Sequence, residues 1–343
     1  MNPTRSLRFG QKKVDYYFSG RFQQLSSITD KKNTVIVTDE NVFSAHHPKF
    51  KGWNVICLKP GEAYKIQATA DSVIETLIGL EADRKTTLVG VGGGVITDLT
   101  GYVASVYMRG INVGFVPTTI LAMVDAAIGG KNGIDVGEYK NMVGLIRQPS
   151  FLLYDTSFLS TLPDDLWSDG FAEVIKHACI RDAAMFRILE QEDIASLQKK
   201  KKLLTEIIQR NALLKSVVVQ KDEFEKGDRK LLNFGHTLGH AIETQYEISH
   251  GKAVAIGMHY ACKLSEAITG FKHTEKVTGL LSQYGLPIDA NFKLEKVVNI
   301  MKMDKKRMRS SIHYVLLKAI GKGVLQELEF KQLEKLLQKL VKA

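Results

Sequence analysis

Three of the nine histidines fall within residues 236–250: His236, His240 and His250, in Asn233-Phe-Gly-His-Thr-Leu-Gly-His-Ala-Ile-Glu243 and Ser249-His-Gly251. His236 and His240 stand four apart, which puts both imidazoles on one face of a helix. His250 follows within reach of a loop. Neutral imidazole is the commonest transition-metal ligand, so the cluster points to a metal. With no cysteine beside them, these residues do not form a closed thiolate zinc site, and a catalytic site with an open position also needs a carboxylate or a third histidine. For an isolated pair, a helix with two partly exposed histidines is the plain alternative. His250 and the glycine beside each histidine weigh toward a metal.

A carboxylate is available in Gly170-Phe-Ala-Glu-Val-Ile-Lys-His177, which reads as one amphipathic helix with Glu173, Lys176 and His177 within a turn of each other. Glu173 and His177 would make a second metal pair, or Glu173 would complete the histidine cluster. An ordinary surface ion pair is the simpler alternative. Phosphate chemistry has two candidates. Gly92-Gly93-Gly94 sits between a strand and a helix, where the missing Cβ atoms and the helix N-terminus suit a pyrophosphate. The spacing is not the full dinucleotide fingerprint, because Val95 stands where the third glycine belongs. Asp98, in the first turn of that helix, would complement the dipole or hydrogen-bond a cofactor ribose or nicotinamide. Gly129-Gly130-Lys131-Asn132 and Lys140-Asn141 form a glycine-rich basic loop able to close around phosphate. Asp125 just upstream would pair with Lys131 or accept from a substrate hydroxyl.

The elements that must position these residues follow from periodicity. β-Branched runs at 34–38, 54–58, 86–91 and 112–116 predict strands, and 63–80 and 95–108 predict helices, the second ended by Arg109-Gly110. Strands alternating with helices imply a mainly parallel sheet. From about Ser157 long helical stretches take over. The expected architecture is an α/β nucleotide-binding domain over 1–156 and an all-α metal- and substrate-binding domain over 157–343, with the active site in the cleft between them. The lysine run 199–202 opens a helix and reads as a solvated face.

Composition bounds the partners. The chain of 343 residues, 44% hydrophobic and 24% charged, is that of a globular protein. The most apolar stretch, 113–130, is interrupted by Pro117 and Asp125, so no membrane span is expected. Residues 1–10 hold no signal-peptide core. Three scattered cysteines suggest reduced thiols in a cytoplasm. The net charge of +10 is compatible with nucleic acid. No nucleic-acid-binding motif accompanies it, and an anionic small substrate accounts for the charge equally well.

Taken in order, these motifs resemble 3-dehydroquinate synthase, a family of sugar-phosphate cyclases, from Asp39 through Lys306. They are Pro-Gly-Glu-Ala-Tyr-Lys (60–65), Gly-Gly-Gly-Val-Ile-Thr-Asp-Leu-Thr-Gly-Tyr (92–102), Tyr-Met-Arg-Gly (107–110), Pro-Thr-Thr (117–119), Asp-Ala-Ala-Ile-Gly-Gly-Lys (125–131), Lys-Asn (140–141), Ala-Glu-Val-Ile-Lys (172–176) and Leu-Asn-Phe-Gly-His-Thr-Leu-Gly-His-Ala-Ile-Glu (232–243). No one of them is decisive; the ordered set is specific. The resemblance implies that Glu173, His236 and His250 bind zinc or cobalt and gives His240 to the substrate. It implies an NAD site of Asp39, Asn41, Glu62, Lys65, Gly93, Gly94, Val95, Asp98, Thr118, Thr119, Lys131, Lys140, Phe158 and Thr161. Lys131, Lys140, Asn141, Lys176, Lys215, Arg229 and Asn233 match residues that hold a phosphorylated sugar acid, as does one lysine of Asp304-Lys305-Lys306. Arg109 matches an arginine lent to the neighbouring subunit of a homodimer. The implied reaction turns 3-deoxy-D-arabino-heptulosonate 7-phosphate into 3-dehydroquinate. It runs by transient oxidation at C5, phosphate elimination, re-reduction, ring opening and an aldol closure, with NAD recycled in each turnover. Two related activities share parts of the pattern: a cyclase lacking a carboxylate to bind, and a polyol dehydrogenase of the glycerol dehydrogenase type. The chain departs from the family at Thr97 and Pro60, and in residues 5–25, whose hairpin turn is reduced to Ser19-Gly20.

Overall fold

The structure is a computed structural model and describes residues 1–137, 139–246, 248–289, 292–303 and 311–342. Lys305 and Lys306, one of which is expected near phosphate, lie outside the described residues. The chain divides into two compact units, Met1–Leu166 with Thr205–Phe224, and Trp167–Leu204 with Glu225–Ala343. The sequence reading has one break at 156/157 and does not contain the return at 205–224. That helical stretch is tied into the first unit by side chains far away in sequence. Lys215 meets Asp125, Ser216 meets the Tyr16 hydroxyl at 2.8 Å, and Gln220 donates to the Arg8 carbonyl.

In chain order the first unit holds β1 (Arg5–Phe9), β2 (Lys12–Tyr17), β3 (Thr34–Asp39), α1 (Glu40–His46), β4 (Asn54–Leu58), α2 (Gln67–Gly79), β5 (Thr87–Gly92), α3 (Gly94–Val106), β6 (Asn112–Pro117), β7 (Lys131–Val136), β8 (Tyr139–Ile146) and β9 (Phe151–Leu153). The sheet runs β1-β2-β9-β6-β5-β3-β4, parallel throughout except for β1. The four expected strands appear as β3 to β6 with ends shifted by no more than a residue. All of β3 and β5 is buried, as β-branched runs are in parallel strands covered on both faces. From β3 the chain steps outward to β4 and then returns to the other side of β3 as β5. Strand order therefore reverses between β3 and β5, and the crevice at their carboxyl ends is where such sheets bind ligands. Asp39 closes β3 and Gly92 closes β5.

Two expectations are corrected here. Residues 5–17 do form a hairpin, turning at Gly10 with φ of 53° rather than at Ser19-Gly20. The basic segment 131–146 is an antiparallel hairpin, β7 with β8, and not a loop. Its alternation is masked by Gly133 and Gly144, which sit opposite one another and leave no room for side chains.

The second unit is helical, with α4 (Asp164–Arg181, entered from the first unit), α5 (Ala183–Leu189), α6 (Ile194–Lys199), α7 (Lys201–Lys221, shared with the first unit), α8 (His236–Tyr246), α9 (His250–Thr269), α10 (Thr274–Gln283), α11 (Leu294–Met303) and α12 (Phe330–Lys342). It also carries an antiparallel hairpin, β10 (Ser311–Ala319) with β11 (Lys322–Glu329), beyond the helical content expected. No helix of the described residues is long and apolar enough to cross a membrane. Helices α8 and α9 pack almost backbone to backbone. A Cβ on Gly257 would lie 1.8 Å from the Gly235 carbonyl oxygen, and one on Gly239 would lie 2.8 Å from that of Ala253. Glycine is needed at this crossing because the close approach lets His236 and His250 face the same carboxylate oxygen.

Gly257→Ala should therefore destabilise the fold by about 1–3 kcal/mol or more through overpacking. Gly279→Ala, in α10 with open space around it, should be neutral or stabilising by up to ~1 kcal/mol. Urea denaturation of the two variants checks the contrast; equal effects would refute the close-crossing account.

Candidate active site

Helix α4 is not amphipathic. From Asp169 to Ile180 every residue is buried, and Glu173, Lys176 and His177 are 0%, 1% and 0% exposed. The surface ion pair is thereby excluded, and a full carboxylate charge in the core needs compensation. Lys176 Nζ pairs with Glu173 Oε2 one turn on. His236 Nε2 and His250 Nε2 lie 3.4 and 3.5 Å from Oε1. Burial works to raise the carboxyl pKa, but Lys176 and the two imidazoles outweigh it and hold Glu173 well below the usual range. Neither carboxylate oxygen accepts a well-formed hydrogen bond. One donor atom from each of Glu173, His236 and His250 falls within a 4.8 Å group, the size of a metal's coordination sphere.

The other nitrogen of each imidazole is already engaged. His236 Nδ1 faces the Phe234 carbonyl at 3.1 Å, and His250 Nδ1 faces Glu243 Oε2 at 3.3 Å. Metal-ligating histidines are oriented in this way, leaving Nε2 for the ion. Burial and Lys176 push His236 well below its ordinary value. Against burial, Glu173 and Glu243 raise His250 to about 10. A buried carboxylate oxygen faced by two Nε2 atoms, on rings whose other nitrogens are held, fits a divalent cation. His240 stands with its ring 5.0 Å from that of His236 and 5.9 Å from that of His250, exposed, and groups instead with Glu243 and His250. The four-residue spacing placed His236 and His240 on one helical face, but the buried carboxylate takes His236 and His250. Glu243 and Asp169 were not singled out by the sequence reading. Asp169 accepts the Gly251 N–H at 2.7 Å and so fixes the start of α9 beside His250. The only signal for either was position: Glu243 closes the quoted motif, and Gly251 has no room for a Cβ against Asp169.

In the first unit, Gly93 precedes α3 and Gly94 opens it. Cβ atoms there would meet Thr119 Cγ2 at 3.2 Å and Ala126 Cβ at 3.3 Å, so the turn is free of side chains. Thr118 is buried with its hydroxyl unpartnered, while Thr119 Oγ1 accepts from the Ala122 N–H. Asp39 accepts from the Val42 N–H at the start of α1, beside exposed Asn41. Thr161 Oγ1 lies 2.8 Å from His46 Nε2, and the Phe158 ring is packed in the core against Phe22 and His46. The bare turn and the orphaned Thr118 hydroxyl fit a dinucleotide.

Asp98 belongs to the second turn of α3, where it does not cap the dipole. It pairs with Lys65 at 2.7 Å. Burial pushes Asp98 up to about 6 despite that partner. Lys65, 4% exposed, also reaches Asn141 Oδ1 at 2.6 Å and Glu62 at 3.7 Å. Burial opposes its charge, yet Asp98, Glu62 and Asp135 together keep its pKa raised. Asp135, missed in the sequence, accepts the Asn141 N–H at 2.7 Å and so holds that residue at φ of 55°.

The remaining expected residues are distributed over both units. Lys131 and Lys140 are exposed on β7 and β8, and Arg109 is exposed on the turn after α3. Asp125, in a π-helical turn, pairs with Lys215 at 2.7 Å, and Lys215 also donates to the Asp125 carbonyl at 2.8 Å. In the second unit Arg229 is 2% exposed, and Asn233 donates to Glu225 Oε1 at 2.6 Å.

Comparison with known proteins spans both units. A family model described as 3-dehydroquinate synthase N-terminal matches residues 55–169, and one described as 3-dehydroquinate synthase C-terminal matches residues 170–307. The chain is 36% identical over 321 residues to 3-dehydroquinate synthase of Clostridium beijerinckii, covering 89% of this chain and 90% of that one. It is 42% identical over 270 residues to that of Pyrococcus abyssi, covering 78% and 79%. Among solved structures, 2-epi-5-epi-valiolone synthase from Streptomyces hygroscopicus, with NAD+ and Zn2+ bound, superposes with a TM-score of 0.87 at 25% identity over 99% of each chain. A 2-deoxy-scyllo-inosose synthase complexed with carbaglucose-6-phosphate, NAD+ and Co2+ gives 0.85 at 25% identity over 98% and 99%. With both units matched and the identities sustained over most of the length, the chain belongs to the 3-dehydroquinate synthase family.

Proposed function

We infer that this chain is a 3-dehydroquinate synthase, converting 3-deoxy-D-arabino-heptulosonate 7-phosphate to 3-dehydroquinate and phosphate in the second step of the shikimate pathway. The observation that carries the reading is a fully buried glutamate facing two oriented imidazoles in a chain whose two units both match the family. Glu173, His236 and His250 would hold a zinc or cobalt ion. The Gly93–Gly94 turn with Asp39, Asn41, Glu62, Lys65, Asp98, Thr118, Thr119 and Thr161 would hold NAD. When bound, the cation supplies Lewis acidity toward a substrate hydroxyl, and NAD accepts and returns a hydride.

The chain's own residues do the rest. Lys176 neutralises the second oxygen of Glu173, so the carboxylate stays ionised in the core. Glu243 and the Phe234 carbonyl fix the imidazole orientations. Lys131, Asn141, His240 and Arg109 grip the phosphate, Arg109 acting from the neighbouring subunit of a homodimer. Lys215 and Arg229 meet the substrate carboxylate, which separates this activity from cyclases acting on neutral sugar phosphates. Lys140, Lys176 and Asn233 complete the set that holds the sugar acid. The set is rich in cations and offers no obvious dedicated base, which suits removal of the C6 proton by the substrate's own phosphate. Loss of phosphate makes the enzyme a carbon–oxygen lyase. The free thiols Cys57, Cys179 and Cys262 suit a reducing cytoplasm.

Purified protein given the heptulosonate phosphate, NAD+ and zinc should release phosphate without accumulating NADH. Accumulating NADH with a simple polyol would instead identify a dehydrogenase. His250→Ala should lose both bound zinc and turnover, whereas His240→Ala should keep its zinc and lose turnover by on the order of a hundredfold; metal analysis beside phosphate-release assays decides this. Because the folded pKa of Asp98 lies above its unfolded value, ionising it costs the fold stability as pH rises through about 6. Its carboxylate is correspondingly lost to the cofactor as pH falls through that value. NAD+ affinity, titrated by fluorescence, should weaken below about pH 6, and Asp98→Asn should flatten that limb.

A further inference from the structure

The turn that presents Arg109 has a strained backbone. Met108 and Arg109 take φ of 49° and 64°, followed by Gly110 at 117°. Two successive non-glycine residues in the left-handed region persist only where their surroundings over-determine them. The side chain that does so is Arg147. Its Nη1 donates to the Ala104 carbonyl at 3.1 Å and its Nη2 to the Ile111 carbonyl at 2.6 Å, one on each side of the turn. The same Ala104 oxygen accepts the Ile111 N–H at 2.8 Å, closing the loop at its base. A Cβ on Gly110 would lie 2.5 Å from Nη1, so the guanidinium is packed directly beneath the turn. The Arg147 backbone is anchored in its own right. Its N–H donates to the Gly130 carbonyl at 2.7 Å, and its carbonyl accepts from Asn132 Nδ2 at 3.0 Å, on either side of Lys131. A planar fork satisfies two carbonyls at once, which a lysine ammonium on a flexible stem does not reproduce.

We propose that Arg147 is a positioning residue for Arg109, clamping the 108–110 turn so that the Arg109 guanidinium is aimed at the substrate phosphate. The proposal rests on the phosphate role given to Arg109 above. Two nitrogens of Arg147 are committed to carbonyls, so its contribution runs through the turn and not through its own contact with substrate.

A double-substitution cycle tests it, with kinetics, NAD+ affinity, zinc content and thermal midpoint measured on Arg147→Met, Arg109→Ala and the double variant. Arg147→Met should raise KM for the heptulosonate phosphate and lower kcat/KM by on the order of tenfold to a hundredfold, as displacement of a positioning group does. NAD+ affinity and zinc content should stay as in the unsubstituted enzyme. In the Arg109→Ala background the same substitution should change kcat/KM by no more than about twofold. An equal loss in both backgrounds, or no loss in the single variant, overturns the proposal. Wild-type kinetics for Arg109→Ala would sink the phosphate role of Arg109 itself, and that result is read from that variant alone. If Arg147→Met fails to fold, Arg147→Lys, which retains the charge and reaches a single carbonyl, is carried through the same cycle under the same criteria.

Discussion

A carboxylate with no water around it governs the second unit. An unpaired ion in a protein interior costs several kcal/mol even after relaxation, so Glu173 is tolerable only while positive or polarisable groups surround it. Lys176 supplies one oxygen with a partner from the same helix, and His236 and His250 supply the other from two further helices. The arrangement dictates its supports. Helices α8 and α9 must approach closely enough for their first residues to meet one carboxylate, which removes side chains from Gly235, Gly239 and Gly257. The start of α9 must be fixed, and Asp169 fixes it through the Gly251 N–H. A divalent cation held by all three would turn an electrostatic liability into a binding site.

The first unit solves a related problem with the opposite charge. Lys65 is a buried ammonium, and its partners come from the turn before α2, from α3 and from the β7–β8 hairpin. One cation thus ties together three segments that no shared hydrophobic core would align to this tolerance. Its location follows from sheet topology, because the reversal between β3 and β5 leaves the carboxyl ends of those strands uncovered by connections. Asp39, the bare glycine turn and the Thr118-Thr119 pair all lie at strand ends for that reason. A nucleotide phosphate would meet backbone N–H groups there without displacing a side chain.

Each unit holds one candidate set: three metal-ligand candidates in one, and the glycine turn and its buried ion network in the other. The family's reaction needs both, since the oxidation it begins with is undone before product leaves.

The sequence by itself determined the four central strands β3 to β6 with the helices α2 and α3, the glycine turn and, through motifs in a fixed order, the family. These are local or patterned properties: periodicity of two or 3.6, glycine where backbone must approach, imidazoles at helical spacing. It misjudged α4, because a helix buried on every side still carries polar residues and reads as amphipathic when its partners are unknown. Spacing alone left open which histidines share a carboxylate, since positions along one helix say nothing of a ligand arriving from another; the ordered motifs, through the resemblance, named His236 and His250. The hairpin at 131–146, the return of 205–224 to the first unit, and the supporting roles of Asp135, Arg147, Asp169 and Glu243 were decided only in three dimensions. Each acts on a group made available by tertiary packing: a carbonyl, an N–H or an imidazole nitrogen. Chain order carries no mark of those partners until the elements are packed against one another.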